Sequence, residues 1–196
     1  LWKVDVRQSD LMEIAEGLGA DVPFFLQGGT ARGTGRGSTV TALDDGPDTF
    51  LLLLKPRASV STTRAYSALN SPTLTTSGAK IILSSSQAGT FSSGFDLNAL
   101  HNDFAAVAFQ LEPEIERAKA ALVKSGAHAA LLAGSGSAVF GVFENKDAQE
   151  RAIQAIKLEA GWRVFPCNTV GRSHYKTAMG AAGEFFARLS GEDAGA

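Results

Sequence analysis

A chain of 196 residues that is 44% hydrophobic and 19% charged has the balance of an ordinary globular protein of one or two small cores. Eighteen basic against twenty acidic residues leave a formal charge of −2, which gives no cationic footprint for nucleic acid, and no apolar run reaches the ~18 residues of a membrane span. The single cysteine, Cys167, excludes an internal disulfide and fits a reducing cytoplasm, and His101, His128 and His174 stand too far apart for metal-ligand spacing.

The chain opens mid-pattern on LWKVDV, without methionine, and is expected to be a fragment. Asp10 and Glu13 have the spacing of a capping box, and Leu11, Ile14 and Leu18 share a helical face. A helix is therefore expected over 10–18, ended by Gly17 and Gly19. Residues 22–43, VPFFLQGGTARGTGRGSTVTAL, read as strand broken by glycine turns, with Phe24, Phe25 and Leu26 as core. LDDGPD, 43–48, is a turn cluster and the best internal boundary. TFLLLLKP, 49–56, has the unbroken apolar run of a strand covered on both faces.

VSTTRAYSALN, 60–70, starts a short helix on a hydroxyl cap. The Ser-, Thr- and Gly-rich stretch 71–95 is either a lid or slack. Residues 97–125 are helical in two pieces, because Pro113 opens a new helix. Glu114 and Glu116 suit its first turn, Ile115, Ala118 and Leu122 form its inner face, and Gly126 ends it. AALLAGSGSAVFGVF, 129–143, is strand, glycine turn, strand; a helix follows over 147–160 with Ile153 and Ile156 inward and Gly161 as stop. WRVFPCNTV, 162–170, alternates like a strand with one exposed face. From residue 49 onward the order predicts a two-layer α+β sandwich of ferredoxin-like kind.

Three places have the residue types for chemistry. Asp21 follows a helix C-terminus and precedes Val22-Pro23, which stiffen the backbone before an apolar run. A carboxylate held beside apolar packing suits a proton acceptor; the plainer alternative is a turn aspartate bonded to nearby amides. AGSGSA, 133–138, offers glycine backbone and the hydroxyls of Ser135 and Ser137, as in a phosphate-binding nest, or it is merely a hairpin turn. It lacks the P-loop pattern. In GTARGTGRG, 29–37, Arg32 and Arg36 either meet an anion or are solvated arginines on a bulged hairpin. His101, Asn102 and Asp103 lack a nucleophile elbow, so Asn102 and Asp103 are expected to bond backbone or neighbouring helices. Asp44, Asp45 and Asp48 sit in a Pro-Gly turn without EF-hand spacing.

In the order GLGADVPFFLQGGTARGTGRG, LLLLKPRASVSTTRAY, LHNDF and LLAGSGSAVFGVF, these segments resemble the GHMP kinase superfamily. The resemblance runs to about residue 180 and is most specific in GADVPFF with GTARGTGRG, which point to the members acting on 4-diphosphocytidyl-2-C-methyl-D-erythritol. It implies a fold made of the end of an S5-like N-terminal domain (1–45) and a ferredoxin-like C-terminal α/β sandwich (46–196). It implies phosphoryl transfer from ATP, with Mg2+, to the 2-hydroxyl of that small-molecule substrate in the non-mevalonate route to isoprenoid precursors. Asp21 would be the catalytic carboxylate. Gly134, Ser135, Gly136 and Ser137 would form the loop near the phosphates. Thr62 and Tyr66 would face the substrate, with Tyr66 stacked on cytosine.

The family's N-terminal lysine motif and its glycine-serine ATP loop do not occur in this sequence, and Ser38 stands where the family often has an acid. The chain by itself is therefore expected to be inactive. Two alternatives stay open: another superfamily kinase, for homoserine or mevalonate, or a non-catalytic ligand-binding domain of the same fold.

Overall fold

The computed structural model describes residues 6–68 and 101–190; the connector 71–95 lies outside the described residues. The chain divides into two compact units, residues 1–47 with 170–196, and residues 48–169.

The first unit begins with helix α1 (Gln8–Leu18). The capping box expected at Asp10 does not form. The helix starts earlier, after Arg7, whose guanidinium grips both oxygens of Asp10 at 3.1 and 2.8 Å. That ion pair holds the Asp10 carboxyl below its ordinary value. Of the expected inner face, Ile14 and Leu18 are exposed, and the buried residue is Ala15.

Residues 22–27 form helix α2 (Val22–Gln27) rather than the strand that the apolar run suggests. Pro23, in the first turn, accounts for this: its fixed φ suits a helix start, where its missing N–H costs nothing. Phe24 and Phe25, expected in the core, are exposed on this helix and pack edge to face on each other at 5.5 Å. Strands β1 (Ala31–Thr34) and β2 (Thr39–Ala42) follow as an antiparallel hairpin, from the Ala31–Ala42 pair to the Thr34–Thr39 pair.

The second unit holds β3 (Phe50–Lys55), α3 (Thr62–Ala68), α4 (Ala105–Leu111), α5 (Pro113–Lys124), β4 (Ala129–Leu132), β5 (Val139–Phe143), α6 (Lys146–Ala155) and β6 (Arg163–Asn168). Its sheet is wholly antiparallel, in the order β4-β5-β3-β6. The last-formed strand flanks the first and the central hairpin lies on its other side, which is the ferredoxin-like arrangement.

One face of this sheet carries Leu52, Leu54, Val139, Phe143, Ala130 and Leu132, and Ile115, Ala118 and Leu122 of α5 pack on it with Ala152 of α6. Gly141 lets α5 come close, since a Cβ there would stand 3.0 Å from that of Ala127 and 3.4 Å from that of Leu122. The other face, which carries Leu51 and Leu53, is only half-buried, so β3 is not covered equally on both sides. Ile156 does pack on the core, although α6 ends one residue earlier.

After β6 the chain rejoins the first unit with α7 (Arg172–Ala178) and α8 (Ala181–Ser190). Asp45, one of the acids in the turn cluster, ties two segments of this unit together. Its oxygens accept the N–H groups of Thr30 at 2.7 Å and Arg172 at 2.6 Å, and these bonds hold its carboxyl below the ordinary value. The Arg172 guanidinium donates to the carbonyls of Thr30 and Leu43, and the Tyr175 hydroxyl donates to that of Phe25.

Candidate functional site

The turn between β4 and β5 is where the second unit gathers polar groups from distant parts of the sequence. The N–H of Ala133 reaches the Ala138 carbonyl at 2.9 Å and closes the hairpin; that of Gly136 reaches Ala133 at 3.1 Å. Asn102 stitches the near side. Its Nδ2 donates to the carbonyls of Leu132 at 2.8 Å and Gly134 at 2.9 Å, and its Oδ1 accepts from the N–H of Phe104. The backbone-bonding role expected for Asn102 is therefore observed. His101 and Asp103 form an exposed pair at 2.9 Å.

Helix α3 supplies the facing wall. Thr62 Oγ1 lies 3.3 Å from Ser135 Oγ. Tyr66, four residues later and so on the same helical face, is 44% exposed and sets its ring edge to face against Phe104 at 4.8 Å. Thr62, Tyr66 and the Gly134–Ser137 loop, picked out separately in the sequence, thus share one neighbourhood. Beneath Gly136 lies an apolar floor of Leu132, Ile115 and Val60.

Lys55, passed over in the sequence, and Glu114, read there only as a first-turn acid, complete the arrangement. Lys55, at the end of β3, donates to the carbonyls of Pro56 (2.9 Å) and Ala58 (3.1 Å) and to Ser137 Oγ (2.7 Å). Ser137 is 4% exposed and donates in turn to the Ala58 carbonyl. Glu114 takes the other side of the same turn, accepting from the N–H groups of Arg57 and Ala58 and from Trp162 Nε1. Burial pushes the Glu114 carboxyl up, but these three bonds outweigh it and hold the group below its ordinary value. The signal for Lys55 was available: a charge ending a run of four leucines is seldom idle.

Asp21 belongs to the first unit. It stands at the N-cap position of α2, exposed, with no side-chain cap hydrogen bond. The apolar enclosure expected around it is absent there, because Phe24 and Phe25 face outward. Arg32 and Arg36 are exposed on the hairpin.

Chemically, hydroxyls, glycine backbone and a nearby ammonium suit an anion rather than a cation. Among the described residues no group of three or more His, Cys, Asp or Glu side chains gathers to hold a metal ion, and no helix is long and apolar enough to cross a membrane.

The chain is similar to known proteins over most of its length. Residues 83–160 match the family described as GHMP kinases C terminal. A 4-diphosphocytidyl-2-C-methyl-D-erythritol kinase of Solibacter usitatus (strain Ellin6076) is 39% identical over 169 residues, 85% of this chain and 52% of the relative. The chain has the GHMP kinase fold and matches that family's C-terminal model. A crystal structure of 4-(cytidine 5'-diphospho)-2C-methyl-D-erythritol kinase superposes with a TM-score of 0.61 at 27% identity, over 86% of this chain and 58% of that one. A homoserine kinase from Cytophaga hutchinsonii shares the GHMP kinase fold at 18% identity and a TM-score of 0.50, over 88% and 60%. The chain spans between half and two thirds of the length of the relatives it matches.

Proposed function

We propose that this chain serves an ATP-dependent kinase that phosphorylates the 2-hydroxyl of 4-diphosphocytidyl-2-C-methyl-D-erythritol on the way to isoprenoid precursors. One observation carries the reading: Thr62 Oγ1 meets Ser135 Oγ at 3.3 Å, although 73 residues separate them. Two motifs chosen for different tasks, substrate contact and phosphate contact, are adjacent. The named relatives act as the same kind of kinase, which supports the choice of substrate.

In this reading the Gly134–Ser137 loop faces the phosphates, Thr62 bonds the substrate and Tyr66, packed at right angles on Phe104, stacks on cytosine. Asp21 orients or deprotonates the attacking hydroxyl. Its exposed position at the N-cap of α2, with no capping bond made, leaves its oxygens accessible to that hydroxyl. ATP is the phosphoryl donor; bound Mg2+ would neutralise charge on its phosphates. In domain terms, residues 1–45 are the end of the family's N-terminal domain and 46–196 its C-terminal domain. Helices α7 and α8 of that span share a compact unit with the former.

The test is phosphorylation of 4-diphosphocytidyl-2-C-methyl-D-erythritol by the chain alone and by a chimera carrying the upstream half of the Solibacter relative. The chain alone is expected to be silent and the chimera active, with Asp21→Asn reducing turnover by about 10²–10⁴. Equal turnover by Asp21→Asn removes that residue from the chemistry. Preference for homoserine or mevalonate replaces the substrate, and a chimera inactive on all three leaves a binding domain.

A further inference from the structure

The inference concerns Lys55 and rests on the reading of the Gly134–Ser137 loop as the phosphate-facing element. An ammonium has three N–H donors, and here all three are taken by oxygens: two backbone carbonyls of the turn after β3 and the hydroxyl of Ser137. Ser137 passes the connection on to the Ala58 carbonyl, so Lys55, Ser137 and Ala58 form a closed triangle. Its members lie 82 and 79 residues apart in sequence, and their closure fixes the C-terminal limb of the loop to the end of β3.

Among the described residues no carboxylate balances the charge in this triangle. All three acceptors of Lys55 are neutral oxygens. Glu114, the carboxylate that touches the same turn, is spent on Arg57 N–H, Ala58 N–H and Trp162 Nε1. A half-buried cation has lost part of its water, and neutral oxygens replace that water only in part. An anion at the loop would complete the compensation.

We propose that Lys55 is a positioning residue: it sets the Gly134–Ser137 loop through Ser137 and supplies, from behind, the fixed positive charge against which a phosphate chain is held. It does not itself ligate the anion, since its donors are spent. This separates it from a flexible surface lysine, which would swing to meet phosphate directly.

The probe is inorganic tripolyphosphate, titrated calorimetrically into the full chain at low and high salt. Lys55→Met keeps the unbranched apolar stem, one atom shorter, and removes the charge. It is expected to weaken binding at least about tenfold, equivalent to about 1.4 kcal/mol. The wild-type affinity should fall with salt more steeply than that of the variant. Ser137→Ala breaks the link but keeps the cation. It should lose part of the affinity, speed amide exchange at 134–137, and add nothing when combined with Lys55→Met, because the two side chains act as one unit.

A lysine that merely staples the fold would lower the melting temperature and leave affinity within about twofold. That result overturns the proposal, as does a wild-type chain that binds no tripolyphosphate. If Lys55→Met does not fold, Ser137→Ala decides: unchanged affinity and unchanged exchange overturn it. Turnover plays no part in this titration. A chain that binds tripolyphosphate through Lys55 yet phosphorylates nothing in the chimera rejects the kinase reading and keeps this one. An active kinase indifferent to Lys55 does the reverse.

Discussion

The two glycine-rich turns of this chain look alike in sequence and are built in opposite ways. In GTARGTGRG the tip of the β1–β2 hairpin is open: Cβ atoms at Gly35 and Gly37 would meet nothing within 4 Å, and Arg32 and Arg36 point into solvent. In AGSGSA the turn is held by Asn102 on one limb, Lys55 on the other and Thr62 at Ser135, over a floor of Leu132, Ile115 and Val60. Glycine content gives a backbone the freedom to turn; it does not make a site. What distinguishes the second turn is side chains from three other segments spent on its backbone and hydroxyls.

The sharpest way to break that contrast is to remove the floor. Ile115 is fully buried on α5, and Ile115→Ala should cost about 2–5 kcal/mol in the second unit, read as a lower denaturation midpoint. Amide exchange at 133–137 should accelerate with it while that of the hairpin tip stays as it was. If both change equally, the loop does not depend on its floor.

Next in size is a pair of substitutions with the same backbone requirement. Gly28 has φ 64° and Gly35 has φ 65°, values that disfavour any side chain. Gly35→Ala meets open space and should cost about 1–2 kcal/mol from the backbone alone. At Gly28 a Cβ would overlap the ring of Tyr175, so Gly28→Ala should cost clearly more, and Tyr175→Ala in the same chain should return part of it. Equal costs would mean that α7 does not press on the end of α2. Smaller again, Asn102→Ala strands two carbonyls of the loop and should cost about 1–3 kcal/mol, with no change at the hairpin.

Much of the second unit was legible because its signals are local or periodic. Pro113 opens α5, the burial of Ile115, Ala118 and Leu122 follows their spacing, and the order of elements gives the antiparallel sheet. The sequence also pointed to Thr62, Tyr66 and Gly134–Ser137, now adjacent or on one helix face. The first unit was harder. A five-residue apolar run has no period long enough to separate strand from helix, and Pro23 was taken as a stiffener when it is a helix starter. Helices α7 and α8 were not foreseen, although Phe185 and Phe186 of α8 mark an apolar face. The ties of Asp45 to Arg172, and of Lys55 to Ser137, span 127 and 82 residues, and nothing local announces a partner so distant.

The smallest expected effect sets the two units apart by pH. Asp45 in the first unit and Glu114 in the second are each held below their ordinary values, 3.8 and 4.5, chiefly by backbone amides at Asp45 and by Trp162 with two amides against burial at Glu114. A lowered folded value means that the charged form is the one the fold favours. The stabilisation is complete well above the ordinary value and is lost as pH falls through the folded value, so both contributions fade below about pH 4. Asp45 is exposed and Glu114 half-buried, so the losses are modest, larger for Glu114. Glu114→Gln should flatten the acid limb of stability in the second unit, read by Trp162 fluorescence. Asp45→Asn should flatten it in the first unit, read by amide exchange at Thr30 and Arg172. An acid limb unchanged by Glu114→Gln would show that the charge on Glu114, as opposed to its oxygens, does not help to hold the turn that Lys55 shares.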